Sequence, residues 1–157
     1  MYEWLVFAHV VGVFGFLLAH GVSAAVVFRV RFERDITALR ALLNLSARSL
    51  MASYISLLVL LAGGLGAAFI GRWWSFGWPW AALGVLIVTW LLMLFVTGPS
   101  LHRVRLAVGI TREGLLTAPA KPEDLSAAVA RVCPWLSVVT GGAGLLIILW
   151  LMMFKPF

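Results

Sequence analysis

The chain has 157 residues, room for one domain, and 63% of them are apolar while only 11% are charged. Soluble domains carry roughly a quarter charged residues, so too little charge is present to keep an ordinary globular surface in water. The net charge of +6 raises nucleic acid as a partner, but the basic residues sit in gaps between apolar runs rather than along one face. Anionic lipid headgroups are then the nearer partner, and no nucleic acid is expected.

The first predicted element is an apolar run over residues 4–28, interrupted by His9, His20 and Ser23. An apolar helix of about 20 residues crosses the hydrocarbon core of a bilayer, and this run is long enough. It is not expected to be a cleaved signal, because its arginines follow the apolar core and the run is too long. A basic segment follows, with Arg29, Arg31, Arg34, Arg40 and Arg48. Within it Asp35 is placed to cap a helix whose apolar positions Ile36, Leu39, Leu43 and Leu50 fall near one face.

The second span is predicted over residues 51–70, followed by a short turn with Arg72, Trp73 and Trp74, and the third over 80–97. Gly98-Pro99 predicts a break, with His102 just beyond it. A second basic segment carries Arg103, Arg105, Arg112, Lys121 and Arg131, and 109–121 is expected to be an exposed loop. Pro122, Glu123 and Asp124 have the composition of a helix first turn, with proline at the start and acids at the positive dipole end. The single cysteine, Cys133, excludes an intrachain disulfide and a multi-cysteine zinc site. The fourth span is predicted over residues 135–154.

Ten of the twelve basic residues lie in the segments 29–50 and 98–134. Cationic loops resist translocation, so both are expected in the cytoplasm and both termini outside it. Tyr2, Trp4, Trp73, Trp74, Trp78, Trp80 and Trp150 then fall near the outer interface and Trp135 near the inner one, where indole rings are favoured; Trp90 is the mid-span exception. The expected fold is all-α: residues 1–157 form one polytopic membrane domain of four transmembrane helices, bundled from two helical hairpins.

The hairpins look duplicated. Leu45-Ser46-Ala47 leads on to Gly63-Gly64-Leu65-Gly66, and Leu125-Ser126-Ala127 leads on to Gly141-Gly142-Ala143-Gly144. Each unit holds two spans, so the copies keep one orientation, as in a parallel repeat about the membrane normal. Glycine clusters also serve close helix packing by themselves.

An ionisable group inside hydrocarbon is costly and is a functional candidate by default. No Asp, Glu, Lys or Arg lies well inside a span, which leaves His9, His20 and His102. His9 and His20 are eleven residues apart, so they differ by only ~20° around a helix and ~16 Å along it. Gly12, Val13, Phe16 and Ser23 share that stripe, a face suited to a flat cofactor. The sharpest expectation is a b-type haem with His9, His20 and His102 as candidate iron ligands, His20 and His102 being the pair closest in depth. The competing expectation for each histidine is a hydrogen bond to a neighbouring helix backbone or a water. Copper is the other metal option, with Met93, Met152 and Met153 as soft donors, although no methionine cluster is present. Nucleotide-loop, nucleophile-elbow and HExxH signatures are absent, so an enzyme is not the expectation.

The stretch Phe7-Ala8-His9-Val10-Val11-Gly12, with Leu18-Ala19-His20-Gly21-Val22-Ser23 and the basic turn ending in Arg34-Asp35, resembles the start of DUF2269-type small bacterial membrane proteins. That group is similar to the CopD membrane domain of copper resistance and, distantly, to HemJ-type protoporphyrinogen oxidases. The resemblance implies a four-helix membrane bundle with the first-span histidine, here His9, as a haem or metal ligand. The intramembrane lysine of the HemJ type has no counterpart, since Lys121 and Lys155 lie outside the spans. Three functions remain open: a haem protein passing electrons within the bilayer, a cofactor-free subunit of a larger membrane complex, and a copper or small-solute transporter. A homodimer is expected from the glycine-rich second and fourth spans.

Overall fold

In the computed structural model, residues 1–111, 116, 117, 119 and 122–157 are described, with the backbone alone at 96 and 97. Arg112 and Lys121 of the second basic segment lie outside the described residues. Six α-helices make up four rods: α1 (Tyr2–Phe32), α2 (Ile36–Ile70), α3 (Gly77–Leu92) continuing into α4 (Gly98–Ala107), and α5 (Pro122–Ala130) followed by α6 (Pro134–Phe154).

The 31 residues of α1 extend ~46 Å and the 35 of α2 ~52 Å, well beyond a hydrocarbon core of about 30 Å. The first basic segment is therefore an extension of the two spanning helices rather than a separate layer. Residues 36–62 contain neither glycine nor proline, so nothing interrupts the helix where the second span was expected to begin. Asp35 caps α2 as expected, accepting from the Ala38 N–H at 2.8 Å.

The turn between α1 and α2 is organised by Glu33. Its Oε1 accepts from the Arg34 N–H (2.9 Å) and the Asp35 N–H (3.2 Å), and Arg29 lies 3.2 Å from Oε2. The Asp35 and Arg34 amides first, and the Arg29 charge after them, hold the Glu33 carboxyl below its ordinary value. A carboxylate with a depressed folded-state pKa stabilises the fold above the free glutamate range. That contribution is lost as pH falls through the depressed value. NMR titration of Glu33 is expected to show a midpoint below that of free glutamate, and Glu33→Gln is expected to remove this acid-dependent step.

Pro99 does not break the third rod. Proline has no N–H and its ring crowds the carbonyl four residues back, here Phe95. A single π turn over Met93–Thr97 absorbs the conflict, and the Gly98 N–H bonds the Met93 carbonyl five residues back. Pro122 opens α5 with Glu123 and Asp124 in its first turn, as the sequence predicts. The chain then bends at 131–133, and Pro134 starts α6, whose 21 residues match the membrane thickness at ~31 Å.

Helix α1 packs along α2, and α3 along α6; the two hairpins meet through α1 and α6 and through their basic ends. The most completely buried cluster lies at the basic end, where Val30, Leu39, Leu43, Val104, Val108 and Val132 close over one another. Between that end and the opposite one, Phe7, Phe14, Leu18, Ile55, Leu58, Phe95, Val139 and Leu146 stand exposed on the spanning stretches. Four helices long and apolar enough to span a membrane carry these surfaces. So much exposed apolar surface is stable only where lipid is the solvent, and backbone-satisfied helices are what lipid requires. The chain is a multi-pass integral membrane protein.

Three of the described arginines turn inward. Nη1 of Arg31 donates to the carbonyls of Val129 (3.3 Å), Ala130 and Val132 (3.2 Å) at the end of α5. Arg40 reaches the carbonyls of Val108 (2.8 Å) and Thr117 (3.2 Å), and Arg105 that of Leu43 (2.7 Å). Carbonyls at a helix end or turn lack a full set of partners within the element, and a guanidinium fork can reach several at once. The Leu43 carbonyl lies inside α2 and takes Arg105 in addition to its helical role. At the opposite end ring contacts link Tyr2, Trp73 and Trp78 in one trio and Phe69, Trp74 and Trp80 in another, with Lys155 Nζ 5.0 Å from the Trp73 centroid. Trp135 packs edge-on to Phe28 at 5.2 Å near the basic end, so aromatic rings mark both interfaces.

Candidate functional site

The three histidines occupy three different environments. His9 lies where α1 and α2 are closest. A Cβ added at Gly63 would stand 2.6 Å from both the His9 nitrogen and the Leu5 carbonyl oxygen. At Gly64 it would stand 2.7 Å from His9 Nδ1. The glycines therefore let the α2 backbone reach α1, and His9 Nδ1 meets the Leu60 carbonyl oxygen at 2.8 Å. A carbonyl can only accept, so Nδ1 carries the proton in this contact. A neutral ring then keeps its lone pair on Nε2. The edge of the ring formed by Nδ1 and Cε1 lies against Gly64, and Nε2 is not among the three atoms nearest that glycine.

His20 is set differently. Its ring lies parallel to Phe16, with centroids 6.0 Å apart and planes at 8°. Its Nε2 is 2.5 Å from the point a Gly141 Cβ would fill, and Met93 Cε is 2.5 Å from that same point. Three rods thus converge there: α1 through His20, the π turn through Met93, and α6 through a glycine with no side chain. The edge of His20 that would face a metal is directed at the α6 backbone.

His102 lies beyond the π turn, half-buried, and lines a cavity of about 280 Å³ with Arg105, Ile110 and Thr111. The structure does not bring it to His20. His20 meets Met93, and His102 is nine residues further along the same rod, ~13 Å away by helix rise. His9 and His20 do share one stripe of α1, yet one addresses α2 and the other α6. Among the described residues no three His, Cys, Asp or Glu side chains gather as a metal-binding group. Cys133 is exposed at the start of α6.

No protein-family profile, curated protein or solved structure matches this chain.

The intramembrane polar contacts that the sequence left unassigned are made by serines. Buried Ser49 on α2 donates to the Ala19 carbonyl of α1, Ser23 donates to Ser49 Oγ at 3.1 Å, and Ser53 donates to the Ser49 carbonyl at 3.0 Å. The glycine motifs of the two hairpins are used alike, each against the first helix of its own hairpin: Gly63 on Leu5 and His9, Gly144 on Thr89. The Leu-Ser-Ala starts are not equivalent. Ser46 is buried in α2, whereas Ser126 is exposed on α5 and donates to the Glu123 carbonyl.

Proposed function

We propose that this protein carries electrons within a bacterial cytoplasmic membrane, holding a b-type haem through His9. The observation that carries the reading is the His9 Nδ1 contact to the Leu60 carbonyl. Ligating histidines are usually oriented by a hydrogen bond from the other ring nitrogen, and that bond raises the basicity of the ligating one. His9 has this arrangement inside the first span, at the position that the resemblance to DUF2269-type proteins assigns to a ligand. His20 fits less well, because its Nε2 abuts the α6 backbone. A haem would supply one-electron chemistry; the chain supplies the imidazole, its fixed orientation and lipid-facing walls that exclude water.

No second histidine stands beside His9, so any further protein ligand would come from a second copy or a larger membrane complex. The purified protein is expected to show a Soret band that shifts on dithionite reduction. His9→Ala is expected to abolish it and His20→Ala to leave most of it. A colourless, metal-free preparation would sink the proposal.

The positions of the arginines support a topology with the basic ends in the cytoplasm and both termini outside. Cys133, the single cysteine, is exposed at the basic end and reports on this directly. A membrane-impermeant maleimide is expected to leave it unlabelled in spheroplasts and to label it in inverted vesicles. The opposite pattern reverses the orientation.

One observation favours a second reading, a cofactor-free subunit of a membrane complex. Only 6% of the most apolar stretch of the third rod is buried within the chain, against 17–22% for the other three. Such a face suits a protein neighbour as well as lipid. A colourless protein that co-purifies with one partner at fixed stoichiometry would select this reading.

A further inference from the structure

A cleft of about 460 Å³ opens at the basic end between the last turn of α1 and the outer face of α5. Arg31, Phe32, Arg34, Ser126, Ala127, Val129 and Ala130 line it, and no acidic residue does. The two guanidiniums are in different states. Arg31 is fixed through Nη1 on the carbonyls ending α5, which leaves its Nε and Nη2 hydrogens outside those bonds. The Arg34 side chain makes no hydrogen bond or ion pair with any described residue.

The acids that flank Arg34 in the chain are occupied elsewhere, and Glu123 and Asp124 in the first turn of α5 do not line the cleft. Glu33 is held by Arg29 and two backbone amides, and Asp35 caps α2. The Ser126 hydroxyl proton is engaged by the Glu123 carbonyl, so the serine offers only an acceptor. Around the arginines the surface is apolar, with Phe32 strongly exposed and Ala127 and Ala130 beside it. Trp135 against Phe28 marks the membrane interface one turn below. Two donors without a counter-charge, over an apolar floor at headgroup depth, match a phosphate attached to acyl chains.

We propose that this cleft binds the phosphate of an anionic phospholipid, with Arg31 and Arg34 as its ligands, and so fastens α5 to the membrane surface. The site is independent of the His9 proposal, since Arg31 lies 22 residues, ~33 Å, further along α1.

Arg34 is the residue to change, because Arg31 also holds α5 in place. The full chain in a mild detergent is titrated with phosphatidylglycerol, phosphatidylcholine or inorganic phosphate. Thermal unfolding and native mass spectrometry are the readouts. Phosphatidylglycerol is expected to raise the unfolding midpoint and to be retained at one molecule per chain, and phosphatidylcholine is not. Arg34→Gln is expected to weaken the phosphatidylglycerol response about tenfold, the loss of one charge-assisted contact. Arg48→Gln, an exposed arginine outside the cleft, is expected to leave it unchanged. Equal losses in the two variants, or equal responses to the two lipids, would overturn the site. An Arg34-dependent response to inorganic phosphate without one to phosphatidylglycerol would overturn the lipid as its source.

Discussion

Gly63→Val is expected to separate α1 from α2 and to lower the unfolding midpoint in detergent by more than about 3 kcal/mol equivalent, above the usual range for overpacking. The added Cβ would fall 2.6 Å from two backbone atoms of α1, the His9 nitrogen and the Leu5 oxygen, and neither can swing aside as a side chain could. Relief requires moving one helix bodily. That movement removes the close approach on which the His9 contact to Leu60 depends. The stability loss and the loss of any haem absorbance are therefore expected together. Gly142 is the control, because a Cβ there meets nothing within 4 Å. Gly142→Ala is expected to be neutral or to stabilise by up to about 1 kcal/mol, the helix cost of glycine relative to alanine. Similar midpoints for Gly63→Val and Gly142→Val would mean that α1 and α2 do not pack through this glycine.

The contrast between those glycines shows where sequence reasoning stops. Both motifs are visible as Gly-Gly-x-Gly, but which glycine touches another helix is not. In water the polar face of a helix identifies its outside by exclusion. In lipid, both faces of α3 and α6 are apolar, so periodicity carries no address. The four spans were legible because hydropathy reports the solvent, and the Asp35 cap and the Pro122 start because capping chemistry is local. The continuity of α2 was partly legible, in the absence of glycine and proline from 36 to 62.

The π turn before Pro99 was not legible, because proline predicts strain without specifying how it is relieved. The inward-turning arginines were also hidden. A sequence shows a charge near an interface, but not the backbone carbonyl within reach across from it. The shared stripe of His9 and His20 followed from spacing alone. Their different neighbours, α2 for one and α6 for the other, depend on how the hairpins meet.

Leu43→Ala is expected to cost about 2–5 kcal/mol, the range for emptying a filled core site. Leu43 and its neighbour one turn away, Leu39, have no exposed surface, and they pack with Val30, Val104 and Val108. That cluster joins the ends of α1, α2, α4 and α5, and Arg105 adds a bond to the Leu43 carbonyl itself. It projects beyond the hydrocarbon, so its burial is driven by water. In the spans, by contrast, lipid is as good a neighbour to leucine as another leucine. Leu58→Ala is the matched exchange in the same helix, at a side chain that is 68% exposed on the spanning stretch. It is expected to cost under about 1 kcal/mol, because its methyl groups pass from lipid to lipid. Hydrogen exchange on the Leu43→Ala protein should show the amides of α4 and α5 opening first while the spanning part of α2 stays protected. Equal costs at Leu43 and Leu58 would place the stability of this protein inside the bilayer, and the arginine-capped end would then be an appendage rather than the clasp joining its two hairpins.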